Sequence, residues 1–234
     1  VWSMAEKLLI PDLPPPYTIA EHNIWNLESA KKKMHYIGFT TSKWHEDKQA
    51  INRVMDSLHL DKNKPIVFMH ISGPYETRLD LISTIIDGSK YFRKDVQFII
   101  SEGKPNGNII PRRISSSGWY YEWCPVRDEI FALSDLIVLR GGHEAISHAI
   151  VHGKPMVTIP IQNHGEQLGN SEKVEKLKIG VMLEASKADG YHIAEAIHEI
   201  LDNESYLENV LKIKTVTDGF DGINNTLNII RSII

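Results

Sequence analysis

DLIVLRGGHEAISHAIVHGKPMVTIPIQNHGEQLGN, residues 135–170, decides the fold. Four consecutive apolar residues, Leu136 to Leu139, have the length and continuity of a strand buried on both faces. Arg140, Gly141 and Gly142 turn the chain, and a helical pattern then runs from about His143 to His152. Gly153 stops that helix and Pro155 bars its return. MVTIP, residues 156–160, is a second buried strand, and a polar loop with Glu166, Gln167 and Asn170 follows. A strand, a helix of this length and another strand make a βαβ unit, which requires a parallel sheet.

The same alternation extends in both directions. Ile51, Val54, Met55 and Leu58 fall at helical spacing, and Pro65 opens the strand IVFMHIS. Leu79, Ile82, Ile85 and Ile86 mark another helix, closed by Gly88. VQFIIS, residues 96–101, and GWYYEWC, residues 118–124, read as strands, and a short helix over 127–133 leads back to Leu136. Beyond Asn170 come a helix ending near Leu177, the strand GVMLE, and helices marked by Ile193, Ile197, Ile200 and Leu201 and by Ile223, Leu227 and Ile230. The expected fold is a doubly wound α/β domain over residues 39–234, with a mostly parallel, Rossmann-like sheet covered on both faces. Residues 1–38 carry Pro11, Pro14, Pro15 and Pro16 and read as an extended connection, either an interdomain linker or the tail of a missing amino-terminal domain. A first residue that is Val1 and not methionine fits a piece of a longer chain.

Composition narrows the function classes. A net charge of -4 in 234 residues gives no footprint for nucleic acid, which asks for a basic stripe. Lys31–Lys33 is too short a run to change that and reads as a solvated linker. One cysteine, Cys124, precludes an internal disulfide and fits a reducing, cytoplasmic compartment. No stretch reaches the roughly 18 apolar residues of a membrane span, and no signal peptide is visible.

Several residue groups bear on chemistry. Gly141 and Gly142, after a strand and before a helix, suit an anion at the free amides of a helix start, although a tight steric turn uses the same pair. Arg140 adds a cation beside them. Ser72 and Gly73, after the first strand, could supply a second phosphate contact. Trp123 at a strand's end could offer a flat face to a base and Val126 its backbone, or both could simply pack beside a turn. Glu166 and Gln167 suit hydroxyl groups, or an ordinary polar helix start. His143 and His148 are five apart, about 140° around a helix, unlike the four-residue spacing of a zinc pair. His148 and His152 share a face but lack a third ligand, so no metal site is expected. Cys124 has no activating neighbour and is not expected to be a nucleophile.

Taken together and in order, these groups resemble the carboxy-terminal, donor-binding half of GT-B glycosyltransferases, in particular UDP-glycosyltransferases and the bacterial lipid-intermediate N-acetylglucosaminyltransferase. The matching positions are Trp123 and Pro125, Arg140-Gly141-Gly142, Gly153 and Pro155, Pro160, and Glu166-Gln167 with Asn170. The resemblance implies a UDP-sugar as substrate, no cofactor, and inverting, metal-independent transfer of a hexosyl group to an acceptor hydroxyl. It implies that Trp123 flanks uracil and that Val126 pairs with it through backbone atoms. Arg140, with the Gly141, Gly142 and His143 backbone, holds the diphosphate and stabilises the leaving group; Glu166 and Gln167 read the sugar. His148 stands where the family carries a glutamate for the ribose hydroxyls. Glu144 and Ala145 stand where small or amide residues are common, and Glu144 is tolerable there if it turns away or pairs with Arg140. The catalytic base and the acceptor site, for a soluble or lipid hydroxyl compound, belong to the amino-terminal half, so this chain is expected to bind donor without transferring sugar efficiently. A peripheral place at a membrane fits a lipid acceptor. Two alternatives are a UDP-sugar epimerase and a non-catalytic binding subunit of a split transferase. A third is an α/β domain without a nucleotide ligand.

Overall fold

The computed structural model describes residues 4–24, 28–41 and 46–233. Its centre is a seven-stranded sheet in the order β5-β6-β4-β3-β7-β8-β9. The strands are β3 (Ile66–His70), β4 (Gln97–Ser101), β5 (Arg112–Arg113), β6 (Gly118–Tyr121), β7 (Leu136–Leu139), β8 (Met156–Thr158) and β9 (Gly180–Met182). All neighbours are parallel except the β5–β6 pair. Every residue of β3, β4 and β7 is buried, as continuous apolar strands at the middle of a covered sheet must be.

Helices α2 (Lys48–Ser57), α4 (Arg127–Leu133), α5 (His143–Val151) and α6 (Gly165–Lys176) cover one face, around Phe68, Phe131, Ile146 and Ile150. Helices α3 (Tyr75–Gly88) and α7 (Gly190–Leu201) cover the other, around Met69, Ile85, Val138 and Ile197. The fold expected from the sequence is thus the fold found.

Within residues 39–234 one strand and one helix were not anticipated. β5 is two exposed arginines, with no apolar pattern to betray a strand. Their guanidinium groups lie over Tyr120 and Trp119, and their charge protects the sheet edge from further pairing. Helix α8 (Glu204–Asp218) buries only Val210, Ile213 and Thr217, while Leu207 and Leu211 face solvent, so its stripe is blurred in sequence. Helix α9 (Gly222–Arg231) is turned the other way. Among its residues only Gly222 is buried, Asn225 reaches inward to the Ile37 carbonyl, and Ile223, Leu227 and Ile230 are exposed.

The described part of residues 1–38 is packed against the 39–234 unit; residues 1–3 and 25–27 lie outside the described residues. β1 (Leu8–Ile10) pairs in parallel with β2 (Met34–Tyr36) as a separate two-stranded sheet. Leu13 and Ile19 are fully buried in the same core as Ile146. The Asp12 carboxylate, 1% exposed, accepts from the Leu13 and Ala20 amides and lies 3.2 Å from His143 Nε2. In α1 (Glu21–Ile24), Glu21 pairs with Lys173 of α6. The proline-rich stretch therefore forms a cover on α5 and α6.

Candidate functional site

β3 and β7 are neighbours, yet the chain leaves β3 for α3 on one face and leaves β7 for α5 on the other. At such a switch point the two connections diverge and leave a crevice beyond the strand ends. A cleft of about 590 Å³ opens there, lined by His70 and Ser72 after β3, Trp123 after β6, Arg127 of α4 and Glu144 of α5. A second cavity of about 650 Å³ lies between the last turns of α4, α5 and α8. It sits away from the switch point, and the helix start beside it, α9, is already capped by Asp221.

Helix starts divide into two groups. α2, α6, α7, α8 and α9 are capped by the side chains of Asp47, His164, Asp189, Asn203 and Asp221. α3, α4 and α5, which begin at Pro74, Val126 and Gly142, have no side-chain cap. A helix start leaves amide donors without intrahelical partners and carries partial positive charge. Among the described helices α2 to α9, the three without a side-chain cap are those entered from β3, β6 and β7, around the cleft.

The glycine pair has two different explanations. Gly141 has φ +79, and a β-carbon there would stand 2.5 Å from Ser171 Oγ and 2.9 Å from the Gln167 carbonyl oxygen. Asn170, fully buried, donates to the Gly141 carbonyl at 3.1 Å. Gly141 is therefore a joint between the turn and α6, with a steric reason to be glycine. Gly142 has none: nothing lies within 4 Å of its would-be β-carbon. Space is open above the uncapped start of α5.

The structure brings some expected residues together and diverts others. Ser72 lines the cleft, as does Trp123, which is 44% exposed. Gly73 has φ +125, and its carbonyl accepts from Arg78 Nη1 at 3.0 Å. His143 follows the turn and packs edge-on against Phe39. Val126 is half-buried against the core, and its carbonyl accepts the first α4 hydrogen bond from Ile130. Glu166 is exposed in the first turn of α6, while Gln167 Oε1 accepts from the Ile161 amide at 2.9 Å. Arg140 is only 6% exposed and donates to the Thr77 carbonyl at 2.9 Å, on the α3 face of β7. Burial lowers its pKa. Cys124 is buried too, and its thiol is pushed up to about 12, which does not suit a nucleophile.

Glu144 does not pair with Arg140. Its Oε1 lies 3.1 Å from His148 Nε2 and 3.4 Å from Arg127 Nη1. The hydrogen bond from His148 and the charges of His148 and Arg127 hold its carboxyl down at about 2. His148 itself is 6% exposed and rests on Phe131, as do His70 and His152. Sequence reasoning missed Arg127 and His70, because a cation 17 residues from its partner and a histidine ending an apolar strand leave no local pattern. It also missed a buried network under the Ser72–Gly73 turn. Arg78 Nη2 is 3.1 Å from Glu102 Oε1, and Tyr120 donates its hydroxyl to the other Glu102 oxygen. Among the described residues no group of three or more His, Cys, Asp or Glu could hold a metal ion. None of their helices is long and apolar enough to cross a membrane.

Buried neutral histidines make stability fall with acid. Burial, aided by the charges of Arg127 and His148, lowers His70 to about 4, and burial lowers His152 to about 4 as well. The unfolded chain protonates these groups near 6.5, so their stabilisation is complete above pH 6.5 and lost progressively down to pH 4. For His70 the loss is on the order of 1 kcal/mol per pH unit at its steepest. Urea midpoints at pH 7 and pH 5 should drop accordingly, and less so in His70→Gln; equal midpoints at the two pH values contradict the assignment.

Comparison with known proteins bears on the family and the fold. Residues 50–223 match the glycosyltransferase family 28 C-terminal domain. An uncharacterized glycosyltransferase of Methanosarcina acetivorans is 25% identical over 224 residues, which is 95% of this chain and 55% of that protein. The crystal structure of the glycotransferase of kitacinnamycin superposes with a TM-score of 0.67 at 15% identity, covering 92% of this chain and 52% of that one. The spinosyn rhamnosyltransferase SpnG complexed with thymidine diphosphate gives a TM-score of 0.57 at 14% identity, covering 70% and 45%. The chain spans about half the length of the curated relatives it matches.

Proposed function

The chain belongs to the glycosyltransferase family 28 C-terminal domain family, and from that premise we propose that its cleft holds a nucleoside diphosphate sugar, a UDP-hexose by resemblance, for transfer to an acceptor hydroxyl. The observation that carries this is the set of three uncapped helix starts around one crevice, with open space above Gly142. Oriented amides at that point suit a diphosphate, and they become more favourable as it departs and gains charge.

In this reading Trp123 flanks the base, and the amides that follow Gly142 hold the diphosphate. Arg140 acts from behind: by binding the Thr77 carbonyl it ties the β7 turn to the first turn of α3 and keeps a cation near the leaving group. Glu166 and the free amide nitrogen side of Gln167 meet the sugar hydroxyls, with Gln167 Oε1 already used to fix the loop. The acceptor oxygen attacks the anomeric carbon from the side opposite the diphosphate, so the bond to the diphosphate breaks with inversion. Charge on the leaving group is met by helix starts and arginine, and neither a metal nor a cofactor is required. The acceptor proton goes to a base from a second unit, the amino-terminal half, and this chain binds donor without efficient transfer on its own. The outward apolar stripe of Ile223, Leu227 and Ile230 on α9 supports a docked second unit. A cytoplasmic location, or one against a membrane when the acceptor is a lipid, completes the proposal.

Isothermal calorimetry with UDP-sugars, UDP and TDP tests it. Trp123→Ala should leave folding intact, since the ring is 44% exposed, and cost about 1–3 kcal/mol of nucleotide affinity, a factor of roughly 5 to 150. Undiminished affinity in that variant removes the base-stacking role. Absence of heat with every nucleotide removes the proposal.

A further inference from the structure

Residues 8–24 form a strap that reaches both helices meeting at the β7 turn. Toward α5 the contact is Asp12. Its Oδ1 accepts from the Leu13 amide at 2.7 Å, its Oδ2 accepts from the Ala20 amide at 2.8 Å, and Oδ2 also lies 3.2 Å from His143 Nε2. That imidazole nitrogen is buried and has no aligned hydrogen bond among the described residues, so the Asp12 carboxylate is the charge it faces. The His143 ring also packs edge-on against Phe39. Toward α6 the contact is α1. Glu21 pairs with Lys173 at 2.5 Å, and a β-carbon on Gly169 would stand 2.6 Å from His22 Cβ, so α1 lies directly on α6. The next residue of α6, Asn170, holds the Gly141 carbonyl.

The strap therefore supports the β7 turn from two sides, and the α5 side matters more for binding. His143 is the first residue of α5, immediately after Gly142, whose position has no side-chain cap and open space around it. An uncapped helix start has amide donors without partners, and such donors bind an anion best when they are already fixed in place. Asp12 is 1% exposed and does not line the cleft, so it acts from behind the helix. We infer that Asp12 is a positioning residue of the cleft: acting through His143, it fixes the first turn of α5, so that docking of the strap and binding of a nucleoside diphosphate support each other. The inference rests on the nucleoside diphosphate reading of the cleft and adds a coupling between that ligand and a segment it does not touch. Such a coupling is reciprocal: what the docked strap gives to nucleotide affinity, bound nucleotide returns to strap docking.

The test pairs calorimetry with hydrogen exchange on the whole chain. In the unsubstituted protein, saturating UDP should slow amide exchange in peptides covering residues 8–24 by about 5-fold or more, although none of those residues lines the cleft. Asp12→Asn should weaken UDP by about 5- to 20-fold, measured well below the melting temperature so that lost stability alone leaves the affinity of the folded chain unmoved. His143→Gln should cost a similar factor, and the double variant should match either single one within about twofold, because both remove the same contact. Undiminished UDP affinity in Asp12→Asn overturns the inference and leaves the nucleotide reading standing. So do losses that multiply in the double variant, or strap exchange that UDP does not slow. Should Asp12→Asn fail to fold, the exchange measurement on the unsubstituted chain decides alone. Absence of UDP binding by the unsubstituted chain overturns the inference together with the nucleotide reading.

Discussion

Gly142→Asp should lower nucleoside diphosphate affinity by about 30- to 100-fold, or 2–3 kcal/mol, with no loss of stability. Gly142 is the N-cap of α5, has φ -66 and ψ 138, and has nothing within 4 Å of its would-be β-carbon. Aspartate adopts those angles readily and is a favoured N-cap, so it should bond to the first-turn amides and stabilise the helix by a few tenths of a kcal/mol relative to glycine. The same bonds occupy the donors proposed for the diphosphate and add a negative charge where two more must sit. Stability and binding therefore move in opposite directions. Thermal melts and calorimetry on one sample check this; affinity that survives intact shows that the start of α5 is not the anion site.

Glu102→Ala should destabilise the fold by about 3–5 kcal/mol, because it strands a buried cation. Glu102 is 3% exposed, Arg78 is 6% exposed, and the Tyr120 hydroxyl completes the network. Arg78 also donates to the Gly73 carbonyl, so its displacement should loosen the turn after β3. Removing both charges together, as Arg78→Met with Glu102→Leu, should recover much of the loss, since a buried pair contributes little beyond satisfying its own desolvation. Chemical denaturation of the single and double variants decides; a loss below about 1 kcal/mol for Glu102→Ala means the pair is solvated in solution.

The central strands were legible because β3, β7 and β8 are short apolar runs bounded by glycine and proline, which no other element explains. α4 and α5 were legible for the same reason, being fenced between a strand and a turn. α8 was not, because its outward Leu207 and Leu211 blur the stripe formed by Val210, Ile213 and Thr217. Within the site, Trp123 and the glycine turn could be picked out locally. The partners of Glu144 could not, since Arg127 lies 17 residues earlier on another helix.

Order along the chain therefore determined the sheet, its two covered faces and the strand ends at which the cleft opens, because hydrophobic periodicity and glycine or proline breaks are local properties. Only the tertiary structure decided which side chains remain available in that place. It sent Arg140 to the α3 face, turned Asn170 into the joint that holds Gly141, and set Glu144 against His148 and Arg127. Hydrogen bonds and ion pairs depend on distances between elements far apart in sequence, and those distances do not exist until the sheet has assembled.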